Sequence, residues 1–259
     1  MDNKTEISVS NSLETVPDFL PYLPELLVDL WALGSSPRSI IGILSPLSLS
    51  SAKTRVLDLG CGKGAVSITI AHQLGFSVTG IDASEVFLEV ARKKAQEYHV
   101  SDLCKFELAD IFEFIKSPAT FNVVILASLG GILGTFEQCV KQLRQLIIPG
   151  GYIIIDDDYL REGAFVKRKG YDHYVDHDET IRQLTVHGDF LIKEVSTDEE
   201  SKTINAQYLT AIKKRAKVFI KKYPHLAEKV RQYIHTQEIE CEVIDKNLCG
   251  AVWLLQRRK

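Results

Sequence analysis

From residue 55 onward the chain alternates two kinds of apolar pattern. Short runs rich in branched residues read as strands: RVLDLG (55–60), SVTGID (77–82), CKFELAD (104–110), FNVVILAS (121–128) and GYIIID (151–156). Between them, apolar residues recur every three or four positions and predict helices over 64–74, 84–98 and 134–146, with a short turn at 111–116. Pro149, Gly150 and Gly151 are expected to close the last helix, which cannot comfortably continue through them. The strand runs are too apolar to leave one face in water. Helices must therefore cover both faces, as in a doubly wound α/β fold.

After residue 178 the pattern changes. DETIRQLTVHGD predicts a helix with Asp178 as its cap, LIKEVST a strand, and GAVWLLQ the closing strand. The stretch between, 198–245, is helical: Leu209, Ile212, Ala216, Phe219 and Tyr223 fall on one stripe, and Pro224 starts a second helix. Near the N-terminus, VPDFLPYLPELLVDLWALGSSPRSI predicts a helix from Pro24 to Leu33, ended by a Gly34-Ser35-Ser36 turn, which must pack on something to justify Trp31. Neither an internal repeat nor a linker divides the chain, so one domain over 1–259 is expected, with a helical cap (1–50), a core (51–197 and 246–259) and a helical insert (198–245).

Composition narrows the function classes. The 259 residues carry 31 Lys and Arg against 34 Asp and Glu, a net charge of -3, which argues against nonspecific binding to nucleic acid or anionic membranes. Five scattered cysteines without a CxxC pair point to neither a disulfide framework nor zinc, and suit a reducing cytoplasm. The polar start MDNKTEISVSNSLET lacks the features of a secretion signal, and no apolar run approaches the roughly 18 residues of a membrane span. The expectation is a soluble, cytoplasmic protein.

The candidate chemistry sits in VLDLGCGKGAVSITIA, where a strand ends in Gly60, Gly62 and Gly64 and feeds a helix. Such a turn bares backbone N–H groups beside the positive end of a helix dipole, which favours nucleotide-like ligands. The phosphate-gripping template GxxxxGK[ST] fails here, and so does the dinucleotide template GxGxxG, since the spacing is GxGxG. Asp58, two residues before the turn, would repel a pyrophosphate but suits a cationic amino-acid ligand such as S-adenosylmethionine. Asp82 ends the second strand and could accept hydrogen bonds from two ribose hydroxyls, which on its own also fits NAD. At the end of the third strand Asp110 could accept from an adenine amino group, with Ile111 packed on the ring.

These motifs resemble those of the class I S-adenosylmethionine-dependent methyltransferases. The likeness runs through VLDLGCGKG (family pattern hhDhGxGxG), GID at 80–82, AD at 109–110 and IIPGGYIIID at 147–156. It implies a Rossmann-like seven-stranded sheet with an antiparallel last strand, and S-adenosylmethionine as cofactor with S-adenosylhomocysteine as product. The N-terminal helix and the insert between strands six and seven are similar to the small-molecule branch that includes ubiquinone/menaquinone C-methyltransferase-like enzymes. Carried over by position, Gly60, Cys61 and Gly62 would line the methionine part and Asp58 would meet the ammonium through the turn or a water. Asp82 with Ala83 would hold the ribose, Asp110 and Ile111 the adenine, and Ala127 and Ser128 would lie near the sulfonium.

The acceptor implied is a small molecule. Strand four ends in Ala127-Ser128-Leu129-Gly130-Gly131, without the acid a magnesium-dependent catechol-type mechanism needs beside Asp156, Asp157 and Asp158, and without the [DN]PP[YF] of amino-directed nucleic-acid enzymes. His173 and His177 have a spacing that could bind metal, but KGYDHYVDHDE reads better as a polar loop over the site, and no metal is expected. Lys213, Lys214, Arg215, Lys217, Lys221 and Lys222 could grip RNA phosphates, although such a face is more often simply solvated. If the acceptor must lose a proton, the candidates are His173, His177, Tyr171 and Asp157, with no one of them singled out. A lid is expected from Trp31 and the ALGSS turn on one side and 160–178 on the other.

Overall fold

The computed structural model describes residues 3–259, apart from the side chains of Asn3, Lys4 and Ser8. The chain opens with helix α1 (Asn3–Ser12), a 3-10 turn (Leu20–Tyr22), the short helix α2 (Leu23–Leu26) and helix α3 (Pro37–Leu44). Strands and helices then alternate: β1 (Arg55–Leu59), α4 (Ala65–Leu74), β2 (Ser77–Asp82), α5 (Glu85–Glu97), β3 (Cys104–Leu108), α6 (Ile111–Phe114), β4 (Phe121–Ala127), α7 (Phe136–Leu143) and β5 (Ile147–Leu160). The last part holds α8 (His177–Thr185), β6 (Phe190–Ser196), α9 (Asp198–Lys222), α10 (Ala227–Asn247) and β7 (Leu248–Gln256).

The strands form one sheet in the order β3-β2-β1-β4-β5-β7-β6, parallel except for β7, which runs antiparallel to both its neighbours. Successive residues of each inner strand point to opposite faces. Val56, Val78, Val123, Ile125 and Ile154 therefore enter one buried cluster with α3, α4 and α5, and Leu57, Leu59, Ile81, Val124 and Ile153 enter another with α7. This is the expected doubly wound, seven-stranded architecture. A third cluster joins Phe19, Leu23 and Leu26 to Ile212, Ala216 and Phe219 of α9 and Val230 of α10, so the predicted stripe of α9 is the face that receives the N-terminal segment. Each of the larger side chains, the Phe, Leu, Ile and Val residues, stabilises by about 1.5–3 kcal/mol on burial.

Several local expectations are corrected. The helix predicted over Pro24 to Leu33 is helical only at Leu23–Leu26, and residues 27–36 run irregularly because the Lys63 ammonium draws on the carbonyls of Leu27 (2.5 Å) and Leu30 (2.7 Å). The larger helix of this region is α3, with Ser36 capping Ser39 N–H and Pro37 at the first helical position. Residues 3–12, read only as a polar start, are helical. Asp176, and not Asp178, caps α8 by accepting from Glu179 N–H. Helix α7 begins at Phe136 behind a Thr135–Gln138 capping box and ends at Leu143, with a 3-10 turn through Leu146, so Pro149, Gly150 and Gly151 lie inside β5 at a register shift.

The most consequential correction concerns β5, predicted over 151–156. It runs on to Leu160 because β7 pairs with it throughout, from Tyr152↔Gln256 to Leu160↔Leu248. Strand β4 stops earlier, with Ala127 opposite Asp156. Past that point one edge of β5 has no strand beside it, and the loop that follows folds back so that Leu160 N–H donates to Val175 C=O. Asp157 and Asp158 thus stand clear of the sheet's parallel part, at its carboxyl end.

Three of the six cations named on α9 are held by acids, and Lys214, Lys217 and Lys221 are exposed. Arg215 makes a two-pronged bond to Asp29, Lys222 meets Glu25 at 2.8 Å, and Lys213 meets Glu238 at 2.6 Å. The helix read as a possible phosphate grip therefore clamps the N-terminal segment through two of these pairs.

Candidate functional site

Two joined cavities lie beyond the carboxyl ends of the parallel strands, the place where open α/β sheets take ligands. The smaller, about 140 Å³, is built on the glycine turn. Gly60, Gly62 and Gly64 have φ of +69°, +51° and +75°, the left-handed region. At Gly64 a Cβ would stand 3.0 Å from Ala91 Cβ and Phe106 Cζ, so a glycine is what lets α4 start against α5 and β3. Over Gly62 a Cβ would meet only Leu33 Cδ1, at 3.6 Å, and the space is open.

All ten residues expected at the ligand line this one cavity. Asp58, at the end of β1, is buried; Ser67 Oγ donates to its Oδ2 at 2.5 Å, and burial pushes its carboxyl up to about 7. From β2, Asp82 accepts Gly62 N–H on one oxygen and Ser84 N–H on the other, both at 2.8 Å. Burial raises its pKa and these backbone donors oppose the rise. Each oxygen keeps a lone pair for a ligand, and capping α5 falls to Ser84. Asp110 caps α6 through Phe112 N–H (2.7 Å) and accepts Thr5 Oγ1 of α1 at 2.5 Å, beside Ile111. Ala83 follows Asp82. Gly60, Cys61 and Gly62 form the turn, and burial pushes the Cys61 thiol well up, which makes it a packing group.

Ala127 and Ser128 close the cavity from β4. Ser128 has φ +54°, an uncommon backbone state for serine, and it is held there by a bond from its N–H to Asp156 C=O at 2.8 Å. Leu129 leans over Gly60, where a Cβ would come within 2.4 Å of its Cδ1. Together with Val9, Ser12 and Leu13, it narrows the cavity from above.

Sequence reasoning missed Lys63 and α1. Lys63 is buried, its ammonium lies 5.5 Å over the Phe87 ring, and its C=O accepts Trp31 Nε1–H at 3.0 Å. Trp31 itself packs on Tyr98, ring centres 5.2 Å apart. The turn's lysine thus ties residues 27–31 over the glycines; its place within GxGKG was visible, but its partners are carbonyls, which no pattern of side chains announces.

The second cavity, about 800 Å³, joins the first along Ser12, Leu13, Leu33, Ser128, Leu129 and Ile132. Asp156, Asp157 and Asp158 form its end at the sheet, and α9 and α10 its far wall. Ser36 N–H donates to Asp156 Oδ2 at 3.0 Å, and burial pushes that carboxyl up to about 7. Tyr174 Oη donates to Asp157 Oδ1 at 2.8 Å. Across the cavity Tyr171 Oη donates to Glu240 at 2.8 Å, and burial lifts Glu240 to about 7.

The four candidate bases separate. Asp157 and Tyr171 line the large cavity. His173 is buried behind Asp157, its Nε2 4.0 Å from Asp157 Oδ2 and without a hydrogen-bond partner among the described residues. His177 lines neither cavity; it bonds Glu194 at 3.0 Å and packs on Tyr159. Among the described residues no three His, Cys, Asp or Glu side chains converge as metal ligands, and no helix is long and apolar enough to cross a membrane. The expected lid is met in part: 31–35 borders the small cavity and 168–174 the large one, with α1 added between.

Comparison with known proteins agrees with this geometry. The chain is 36% identical over 107 residues to the 27-O-demethylrifamycin SV methyltransferase of Amycolatopsis mediterranei, covering 41% of this chain and 39% of that protein. It is 33% identical over 109 residues to the uncharacterized Escherichia coli protein YjhP, covering 42% and 44%. The matched stretch thus spans about two fifths of these curated relatives. The fold is shared with a solved S-adenosylmethionine-dependent methyltransferase from Thiobacillus denitrificans in complex with S-adenosylhomocysteine, at TM-score 0.77 and 23% identity over 92% of this chain and 98% of that one. A family described as a methyltransferase domain has a sequence model that matches residues 50–235, the glycine turn, both cavities' strand ends and α9 included, and the chain belongs to that family.

Proposed function

We propose that the protein is an S-adenosylmethionine-dependent methyltransferase acting on a small molecule, built as one domain over 1–259 with a cap (1–50), a core (51–197 and 246–259) and an insert (198–245). The carrying observation is that three strand-end acids and a bared glycine turn share one cavity that opens, at Ser128 and Leu129, into a larger one. Asp82 with Ala83 would hold the ribose, Asp110 and Ile111 the adenine, and Gly60, Cys61 and Gly62 the methionine part. Asp58, buried and bonded to Ser67, would act on the ammonium through the turn or a water. Ala127 and Ser128 would face the sulfur. Bound there, the cofactor supplies an electrophilic methyl carbon.

Transfer from a sulfonium is an in-line displacement, so alignment and exclusion of water carry most of the catalysis. Small-molecule sites hold about 300 Å³ or more. The 140 Å³ cavity is continuous with the larger one along Leu129, and Asp110, which already accepts Thr5 Oγ1, keeps lone pairs for the adenine amino group. The free cysteines suit the cytoplasmic location expected from the sequence. Titration calorimetry tests the reading: S-adenosylmethionine binds the wild type and binds Asp82→Ala roughly 100-fold more weakly. Absence of binding to the wild type, or full binding by the variant, defeats the reading.

A further inference from the structure

The larger cavity has a charge pattern that methyl transfer in general does not require. Its sheet end carries three consecutive carboxylates, and Glu14 and Glu240 add two more. Of its three cations, Arg168 is closed on Glu14 at 2.7 Å and Lys229 is closed on Asp18, which leaves Lys169. No Lys or Arg lies within ion-pair distance of Asp156, Asp157 or Asp158 among the described residues; Arg161, the cation nearest in influence to Asp158, is engaged by Asp198. Asp156 is taken by Ser36 N–H, whereas the Asp158 carboxylate receives no hydrogen bond among the described residues. Burial and mutual repulsion push all three carboxyls toward the neutral form, and a cationic ligand would favour their ionised form.

Two further observations point the same way. Tyr171, Tyr174, Tyr208, Tyr233 and Phe19 supply aromatic wall to the same cavity, and ring faces attract organic cations. His173, more than nine-tenths buried, turns an Nε2 that has no hydrogen-bond partner among the described residues toward Asp157 Oδ2 at 4.0 Å, and so backs that carboxylate from the protein side.

We propose that the methyl acceptor is an organic amine, recognised as its ammonium by Asp157 and Asp158 and methylated on nitrogen. This rests on the methyltransferase reading above. An ammonium N–H proton passes to the Asp157 carboxylate, which His173 backs. The freed nitrogen lone pair forms the N–C bond to the methyl carbon, the C–S bond breaks, and its electron pair stays on sulfur as a neutral thioether. Asp157 is the catalytic base, Asp158 holds the ammonium, and His173 is a positioning residue. Ser128, between the two cavities, marks where nitrogen and methyl carbon meet.

The test is calorimetry on the full chain saturated with S-adenosylhomocysteine, using 2-phenylethylamine, 2-phenylethanol and 3-phenylpropanoate as probes on one frame. The amine is expected to bind about tenfold or more tighter than the alcohol, as a charge-assisted pair requires, and the carboxylate more weakly than either. Asp158→Asn and Asp157→Asn should each erase that preference while S-adenosylhomocysteine affinity stays, which also shows that the variants fold. Labelled methyl transfer to the amine should follow in the wild type and fall in Asp157→Asn; the His173→Gln variant should shift the pH profile of that transfer and leave amine binding in place. An amine bound no better than the alcohol, with S-adenosylhomocysteine bound normally, overturns the amine assignment alone. Failure of S-adenosylhomocysteine and S-adenosylmethionine to bind at all overturns the methyltransferase reading and the assignment with it.

Discussion

The two cavities are made in opposite ways. The small one is floored by a single continuous stretch, Asp58 to Ala65, and by the ends of β2, β3 and β4; that floor is held by backbone, with three left-handed glycines and N–H bonds to Asp82, while α1 and residues 31–35 cover it. The large one draws on residues from Asn11 to Ile244 and is shaped by side chains on long helices and loops. A site made of backbone tolerates almost no change at a few positions, whereas a site made of side chains can be retuned residue by residue. Cofactor chemistry that does not vary and acceptor chemistry that does are suited to these two constructions.

Substitutions can break or sharpen that contrast. The largest effect is expected from Gly64→Val, which puts a branched side chain at φ +75° within 3.0 Å of Ala91 and Phe106 and should cost about 3 kcal/mol or more in urea unfolding. Asp82→Ala should leave the fold intact and weaken S-adenosylmethionine binding by roughly 100-fold, the worth of two hydrogen bonds to a charged group, read by calorimetry. Lys63→Met removes the donor from two carbonyls and should cost about 2 kcal/mol, with faster amide exchange over 27–36.

Smaller effects follow from titration. Asp58 has a folded-state pKa near 7, raised from 3.8 by burial. Its stabilising contribution is thus complete below the unfolded value and is lost as pH rises through about 7. Unfolding free energy measured from pH 4 to 8 should therefore fall less steeply in Asp58→Asn, which keeps an acceptor for Ser67; an unchanged slope would show that Asp58 does not ionise in that window. The smallest effect is assigned to the large cavity: Tyr171→Phe removes the donor to Glu240, should cost about 1 kcal/mol, and should leave S-adenosylmethionine affinity within about twofold. If Tyr171→Phe disturbs the cofactor as much as Asp82→Ala does, the two cavities are not separable.

The legible parts of the sequence were those in which one local rule decides. Alternating branched residues marked all five strands from 55 to 156, and the spacing GxGxG after Asp58 marked the turn. Pro24 to Leu33 misled because its leucines look helical, whereas its carbonyls are claimed by Lys63 from more than thirty residues away. Ser36-Pro37, a sound helix start, was passed over as part of a turn. The end of β5 was misjudged because its length depends on β7, almost a hundred residues later. On the basic face of α9, Arg215 and Lys222 find their acids, Asp29 and Glu25, almost two hundred residues earlier in the chain, beyond the reach of any local pattern.

By itself the sequence determined the sheet, its two buried faces and the residues at the ends of the first three strands, because strand period and glycine backbone freedom are local properties of the chain. Only the tertiary structure decided that α1 and Leu129 narrow the small cavity, and that β5 outruns β4 to put Asp157 and Asp158 in the large one. It alone brought a buried histidine behind Asp157 and a tyrosine wall across from it. Each of these depends on where a distant segment packs, and burial and counter-charge, unlike periodicity, are set by neighbours in space.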